Sequence, residues 1–195
     1  REKRLRAAKE METDICEELR QLDMPKIRFV CEFTPQEPAE TGLDSVRFLM
    51  SANVGEALKP LSKVASGGEL ARIMLAMKQV LAQQDGVPTL IFDEVDAGVS
   101  GRAAQKVARK LWAVSKGRQV LCVTHLPQIA AMADAEFTVE KRVEHERTYT
   151  SVLHLDGSGR RQELARLIGG SMITETTLAG AAELLRLADK AKKGI

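Results

Sequence analysis

The sequence predicts an α/β protein with parallel strands and flanking helices. A short apolar strand from Thr89 to Phe92 is followed by a helical segment over about residues 101–116 and a second apolar strand from Val120 to Val123. A strand, a helix and a strand at this spacing form a βαβ unit, whose two strands run parallel. Both strands are continuous apolar runs, which is typical of parallel strands that are covered on both faces.

The first expected element is a helix over residues 1–22, which indicates the stub of a coiled coil. Its apolar residues recur at mixed three-, four- and seven-residue spacings within dense charge. They are Leu5, Ala8, Ile15, Leu19 and Leu22. Pro25 ends the helix, because proline disfavours the helical conformation in the residue before it. We therefore expect the end of a coiled-coil arm over residues 1–24 and a single lobe over residues 25–195.

Strands, helices and a hairpin complete the predicted order. Residues 26–33 and 45–53 favour strands separated by a loop. Apolar residues at the helical period predict a helix over residues 69–84, and Pro127 suits the first turn of a short helix. Residues 136–155 alternate like a hairpin, and the last two helices are expected over about 160–168 and 174–192.

Composition and charge exclude several classes of protein. The formal net charge of +2 argues neither for nor against nucleic-acid binding. The three cysteines, Cys16, Cys31 and Cys122, are scattered along the chain, which fits a reducing compartment and gives no disulfide or zinc framework. No apolar run approaches the roughly 18 residues of a membrane span. These features predict a cytoplasmic protein without a membrane partner.

The first chemical motif is Ser66-Gly67-Gly68-Glu69, directly ahead of the predicted helix. Ser66 and Glu69 have the spacing of a capping box. The two glycines let another main chain or a phosphate approach closely, and the N-terminus of a helix attracts anions. The motif therefore predicts a phosphate-binding loop, with a well-capped helix as the alternative.

The second motif is a pair of carboxylates at the end of a buried strand. Asp93 and Glu94 follow Phe92, and ligands of open α/β sheets bind at the carboxyl ends of the strands. Asp93 fits an acid that holds magnesium, and Glu94 is placed to orient or deprotonate an attacking water. The alternative is that the pair serves only as turn chemistry.

The third motif is Thr124-His125, which ends the next parallel strand. We expect His125 to lie near Glu94, where its imidazole can donate to a terminal phosphate. The alternative is a structural or solvated histidine. Between the two strands, the glycine-containing loop 95–101 suits contact with a partner subunit through Asp96. The alternative is that Ser100 or Asp96 serves as a helix cap.

Four motifs follow one another along the chain: SGGE before a helix, LIFDE, a glycine-containing loop and TH. In this order they resemble the motifs of the ABC-type ATPases, and they are similar to the C-terminal lobe of SMC-like heads. Longer stretches resemble the RecN family within that group. They are KPLSKVASGGELARIMLA (59–76), TLIFDEVDAGVSGRAAQKVA (89–108), VLCVTHLPQIAAMAD (120–134), ELARLIGG (163–170) and TETTLAGAAELL (174–185). The resemblance covers nearly everything from about residue 26 onward.

The resemblance implies a role for each motif. The loop 66–69 is implied as the signature loop, which contacts the γ-phosphate of ATP bound to the opposite head. Asp93 is implied as the Walker B acid that holds Mg²⁺, and Glu94 as the catalytic glutamate. Asp96 is implied as the D-loop aspartate and His125 as the switch histidine.

The resemblance also implies the activity and the partners. Two heads form a homodimer around two ATP molecules, and the ATP cycle serves recombinational repair of DNA double-strand breaks at the nucleoid. The sequence has no GxxxxGK[ST] loop. We therefore expect an N-terminal Walker A lobe of the same protein as a partner, and no ATP hydrolysis by this chain alone. The alternatives are another SMC or ABC head and a non-catalytic module that binds DNA or a head.

Overall fold

The computed structural model describes residues 1–51, 53, 55–63, 67–82, 84, 86–144 and 147–194. The chain forms two compact units. Unit 1 comprises Arg1–Val99 and Ala113–Val123, and unit 2 comprises Ser100–Trp112 and Thr124–Ile195. The expected boundary between an arm and a single lobe at residue 24 stays a prediction.

Helix α1, Glu2–Gln21, opens unit 1. Ile15, Leu19 and Leu22 have no exposed surface, whereas the first seven residues of the chain are exposed. The end of the helix is therefore packed into the core of unit 1, where it contacts helix α2, Gly67–Val80. The helix predicted over residues 1–22 is confirmed.

An antiparallel sheet of three strands follows: β1 (Arg28–Ala39), β2 (Gly42–Ser51) and β3 (Lys59–Pro60), in the order β1-β2-β3. The expected loop between the first two strands is wrong, because both strands continue to a tight turn before Gly42. Pro35 is tolerated within β1 because β1 is an edge strand, and its register shifts between Pro35 and Ala39.

The predicted parallel pair is confirmed. Strand β4 (Thr89–Phe92) is followed by helix α3 (Gly101–Val114) and strand β5 (Gln119–Cys122), and β4 pairs in parallel with β5. The expectation that both faces are covered is wrong for this chain. Leu90 is buried, but Ile91 and its partner Leu121 are exposed, because none of the described elements packs over that face.

Unit 2 contains the short helix α4 (Pro127–Ala130), the hairpin of β6 (Phe137–Glu144) and β7 (Arg147–His154), and the helices α5 (Gly157–Gly169) and α6 (Glu175–Lys193). All four features were predicted. None of the helices that the structure describes is long and apolar enough to cross a membrane. Cys16, Cys31 and Cys122 are free thiols.

Candidate functional site

The two carboxylates occupy the carboxyl end of β4, as the sequence predicts. Asp93 and Glu94 are both exposed. An oxygen of the Asp93 carboxylate accepts a hydrogen bond of 2.9 Å from the main-chain amide of Glu94. Glu94 has a φ of +56°, in the left-handed region that side chains other than glycine rarely adopt. Such strain persists where the surrounding structure imposes it, and it is frequent at functional sites.

The N-terminus of α2 lies against these acids within unit 1. A Cβ on Gly67 would overlap Oε2 of Glu94. A Cβ on Gly68 would lie 2.7 Å from Cβ of Ala97, 2.9 Å from its carbonyl oxygen and 3.1 Å from that of Glu94. Gly68 is therefore required by its close approach to main-chain atoms, whereas Gly67 lies against the end of the flexible Glu94 side chain. Gly67 is exposed and Gly68 is buried, so only the first of them faces outward.

The Glu94 carboxylate thus lies at the positive end of a helix dipole, in the neighbourhood that a phosphate also favours. Glu69 lies half-buried in the first turn of the same helix. Ser66 lies outside the described residues, so its expected capping role stays a prediction.

Sequence reasoning missed Arg72, which lies on the buried side of α2. Its guanidinium Nη1 donates a hydrogen bond of 2.7 Å to the carbonyl oxygen of Ala97. Burial lowers the pKa of Arg72, and the carboxylates of Glu69 and Asp23 raise it. A charged residue within the apolar run from Leu70 to Met77 was the signal that would have revealed it.

Asp96 lies in the loop after β4 and is only 3% exposed. The loop is closed by main-chain hydrogen bonds from Ala97 to Glu94, 3.0 Å, and from Val99 to Asp96, 3.2 Å. Burial raises the pKa of the Cys122 thiol to about 12, and the negative charges of Asp96 and Asp93 add to the rise. The two carboxylates therefore lie close enough to the end of β5 to influence the Cys122 thiol. The expected contact of Asp96 with a second head stays a prediction.

His125 follows β5 by three residues and is exposed, at the start of unit 2. The main-chain amide of Leu126 donates to the hydroxyl of Thr124, 3.1 Å, which fixes the turn into α4. In unit 1, Val123 donates to the carbonyl of Phe92, 3.0 Å, so the pairing of the two strands extends to this end. The expected proximity of His125 to Glu94 stays a prediction.

The residues fit a magnesium ion only in part. Among the residues that the structure describes, no three acids, histidines or cysteines form a cluster that could hold a metal. Asp93 is an exposed carboxylate, and Mg²⁺ in phosphate chemistry is commonly held by one or two carboxylates with water and phosphate oxygens. A cavity of about 340 Å³ adjoins it in unit 1, lined in part by Gly67, Met74 and Ile91.

No family model matches the chain, but curated relatives do. It is 46% identical over 201 residues to the DNA repair protein RecN of Bacillus subtilis, covering 95% of this chain and 35% of the relative. It is 47% identical over 185 residues to RecN of Vibrio cholerae, covering 93% of this chain and 33% of the relative. The chain thus spans about a third of the length of the relatives it matches.

Solved structures of SMC heads share the fold. The Smc head domain with a coiled coil and joint from Pyrococcus yayanosii aligns with a TM-score of 0.60 at 21% identity, over 82% of this chain and 29% of that one. A chain from work on ATP-driven dimerization and DNA-stimulated activation of SMC ATPases aligns with a TM-score of 0.53 at 20% identity, over 86% of this chain and 97% of that one. The chain is therefore similar in sequence to about a third of the length of the RecN proteins, and it shares the fold of part of the solved SMC head domains.

Proposed function

We propose that this chain is the C-terminal lobe of an SMC-like head that hydrolyses ATP during recombinational repair of DNA double-strand breaks. The observation that carries the proposal is the position of Glu94 at the end of a parallel strand, against Gly67 at the N-terminus of α2. A carboxylate at the carboxyl end of a parallel strand is placed to orient an attacking water, and a helix N-terminus with free amides is placed to bind a phosphate. The name of the relatives, DNA repair protein RecN, supports the biological process.

In this proposal Asp93 holds Mg²⁺, which would neutralise charge on the phosphate oxygens of ATP. Glu94 orients the attacking water and takes its proton, because its carboxylate is exposed at the same edge. His125 is proposed as a donor to the terminal phosphate.

The loop 66–69 is proposed to contact ATP that is bound to a second head. The main-chain amides at the N-terminus of α2 are donors for a phosphate, and the exposed Gly67 leaves them accessible. A homodimer of heads follows, in which Asp96 contacts the opposite site. The structural study that describes ATP-driven dimerization of SMC ATPases supports this arrangement.

A lobe with a Walker A loop, from the same protein, is the second proposed partner. The exposed face of the β4–β5 sheet is apolar: Ile91 is 71%, Leu121 46% and Val123 63% exposed. Parallel sheets are normally covered on both faces, so this face requires a partner. DNA is the third partner, and we place the protein in the cytoplasm at the nucleoid.

The proposal is tested by expressing this chain together with the Walker A lobe and measuring magnesium-dependent ATP hydrolysis. We expect Glu94→Gln to lower kcat by about 100-fold or more, the scale of a lost general base, while ATP binding is kept. Glu37→Gln, a change of an exposed strand acid, serves as the control and keeps full activity. Near-normal turnover by Glu94→Gln would remove Glu94 from this role. Hydrolysis by the chain alone would contradict the need for the second lobe.

A further inference from the structure

A buried arginine anchors the loop between β4 and α3. Arg72 is only 7% exposed, and its Nη1 donates 2.7 Å to the carbonyl oxygen of Ala97. Ala97 directly follows Asp96 and closes the turn that begins at Glu94. A single side chain of α2 therefore restrains the turn that carries Glu94 and Asp96, two of the three proposed functional acids.

The stability of the fold does not explain why an arginine occupies this position. Nε of Arg72 is buried, and among the residues that the structure describes it has no hydrogen-bond partner. An unsatisfied buried donor loses free energy relative to its hydrated state, and an apolar side chain of similar size would avoid that loss. The nearby carboxylates of Glu69 and Asp23 compensate in part by favouring the charged guanidinium.

The loop also needs an external anchor. Glu94 has a φ of +56°, a strained conformation that persists only where surrounding contacts hold the main chain in place. On one side, Gly68 brings the main chain of α2 into close contact with Ala97. The hydrogen bond from Arg72 adds a directional restraint that steric contact alone does not give, because a charged donor fixes the carbonyl in both distance and angle.

We infer that Arg72 is a positioning residue, which holds the loop 94–97 so that Glu94 keeps the orientation needed for hydrolysis. Its effect on catalysis rests on the proposed function, whereas its effect on the loop does not. Arg72 acts through the carbonyl of Ala97 and is not assigned a contact with nucleotide. We expect its loss to change turnover rather than the binding of ATP.

The first test is hydrogen–deuterium exchange on the 195-residue chain. Arg72→Met should raise the exchange rate of the Ala97 and Val99 amides by about 10-fold or more, the effect of losing one hydrogen bond to a charged group. Arg118→Met is the matched control, because Arg118 also donates to a main-chain carbonyl of unit 1, that of Ala82, at 2.6 Å. It should leave those two amides within about 2-fold of the wild type.

The second test is the kinetics of the assembled head. Arg72→Met should lower kcat by about 10-fold or more with KM within about 3-fold, and Arg72→Lys should recover part of the loss by restoring the charge. If Arg72→Met does not fold, Arg72→Lys alone tests the inference. Its loop amides should exchange faster than those of the wild type and its kcat should be lower, in both cases by less than is stated for Arg72→Met. Unchanged exchange in a folded variant overturns the inference and leaves the proposed function standing. An assembled wild-type head without ATPase activity overturns the proposed function, and the exchange result still decides whether Arg72 holds the loop.

Discussion

The carboxylate of Glu94 lies against Gly67, so closely that a Cβ at position 67 would overlap Oε2. Glu94 is exposed and its side chain is flexible, so it can move aside when a methyl group is added. We expect Gly67→Ala to change the free energy of unfolding by less than about 0.5 kcal/mol, as for most surface substitutions. Because the carboxylate is displaced, kcat of the assembled head should fall by about 100-fold or more, which is the effect of a misplaced catalytic group.

Gly68→Ala is the matched comparison and should behave in the opposite way. The added methyl group would meet Cβ of Ala97 at 2.7 Å and two main-chain oxygens at 2.9 and 3.1 Å, none of which is the end of a flexible side chain. We expect a loss of about 1–3 kcal/mol in the free energy of unfolding, the usual effect of overpacking. Urea unfolding of the two variants of this chain distinguishes them, and equal stability would contradict the described packing of α2 on the loop.

The left-handed main chain of Glu94 gives a second prediction about stability. Glycine adopts a φ of +56° without steric conflict, whereas other residues lose about 1–2 kcal/mol there. Glu94→Gly should therefore be more stable than Glu94→Ala by about 1 kcal/mol, although both lack the carboxylate. Urea unfolding curves of the two variants provide the measurement. A variant with alanine that matches or exceeds the one with glycine would show that position 94 is not strained.

The sequence predicted the parallel pair because its signals are local. Apolar strands, a helix of the right length and a glycine in the turn after that helix (Gly117, with a φ of +83°) need no knowledge of distant contacts. The same holds for the hairpin of β6 and β7. Both β1 and β2 were predicted, but their extension to the connecting turn was missed. The prolines and glutamates there suggest a loop, and only the cross-strand pairing overrides that preference.

Within the site, sequence reasoning found the acids and the glycines but not the contacts between them. Motif order cannot show that Glu94 lies against Gly67, since the two residues are separated by a helix and a strand. The hydrogen bond from Arg72 to Ala97 is equally non-local. The exposed side of Ile91 was missed because an apolar strand has the same pattern whether one or both of its faces are covered within the same chain.

One buried thiol, Cys31, and one half-buried thiol, Cys122, predict how stability depends on pH. Burial, with a smaller contribution from Glu12, raises the pKa of Cys31 from 9.0 to about 11. Below pH 9 the thiol is protonated in both states and contributes nothing. Between pH 9 and 11 the unfolded chain releases the proton that the folded chain keeps, so the free energy of unfolding falls by up to about 1.4 kcal/mol for each pH unit. Cys122, with a pKa of about 12, acts in the same direction.

Urea unfolding of the wild type and of Cys31→Ala at pH 8, 9, 10 and 11 provides the measurement. The variant should be less stable at pH 8, because a buried side chain is lost, but its stability should decline less steeply above pH 9. Cys31→Ala combined with Cys122→Ala should flatten the curve further. An equally steep decline in the double variant would assign the pH dependence to other groups.

The exposed side of the β4–β5 sheet gives the last prediction. Ile91 is 71% exposed, so Ile91→Lys should leave the stability of this chain within about 0.5 kcal/mol of the wild type. If the Walker A lobe covers this face, a lysine there buries an unpaired charge on assembly, which costs several kcal/mol and abolishes the complex. Leu43→Lys, at a side chain that is 57% exposed in β2, is the control and should still assemble. Sedimentation of the co-expressed lobes measures the assembly of both variants. A lysine buried in the interface would lower the affinity, so normal assembly of Ile91→Lys would show that the apolar face has some other role.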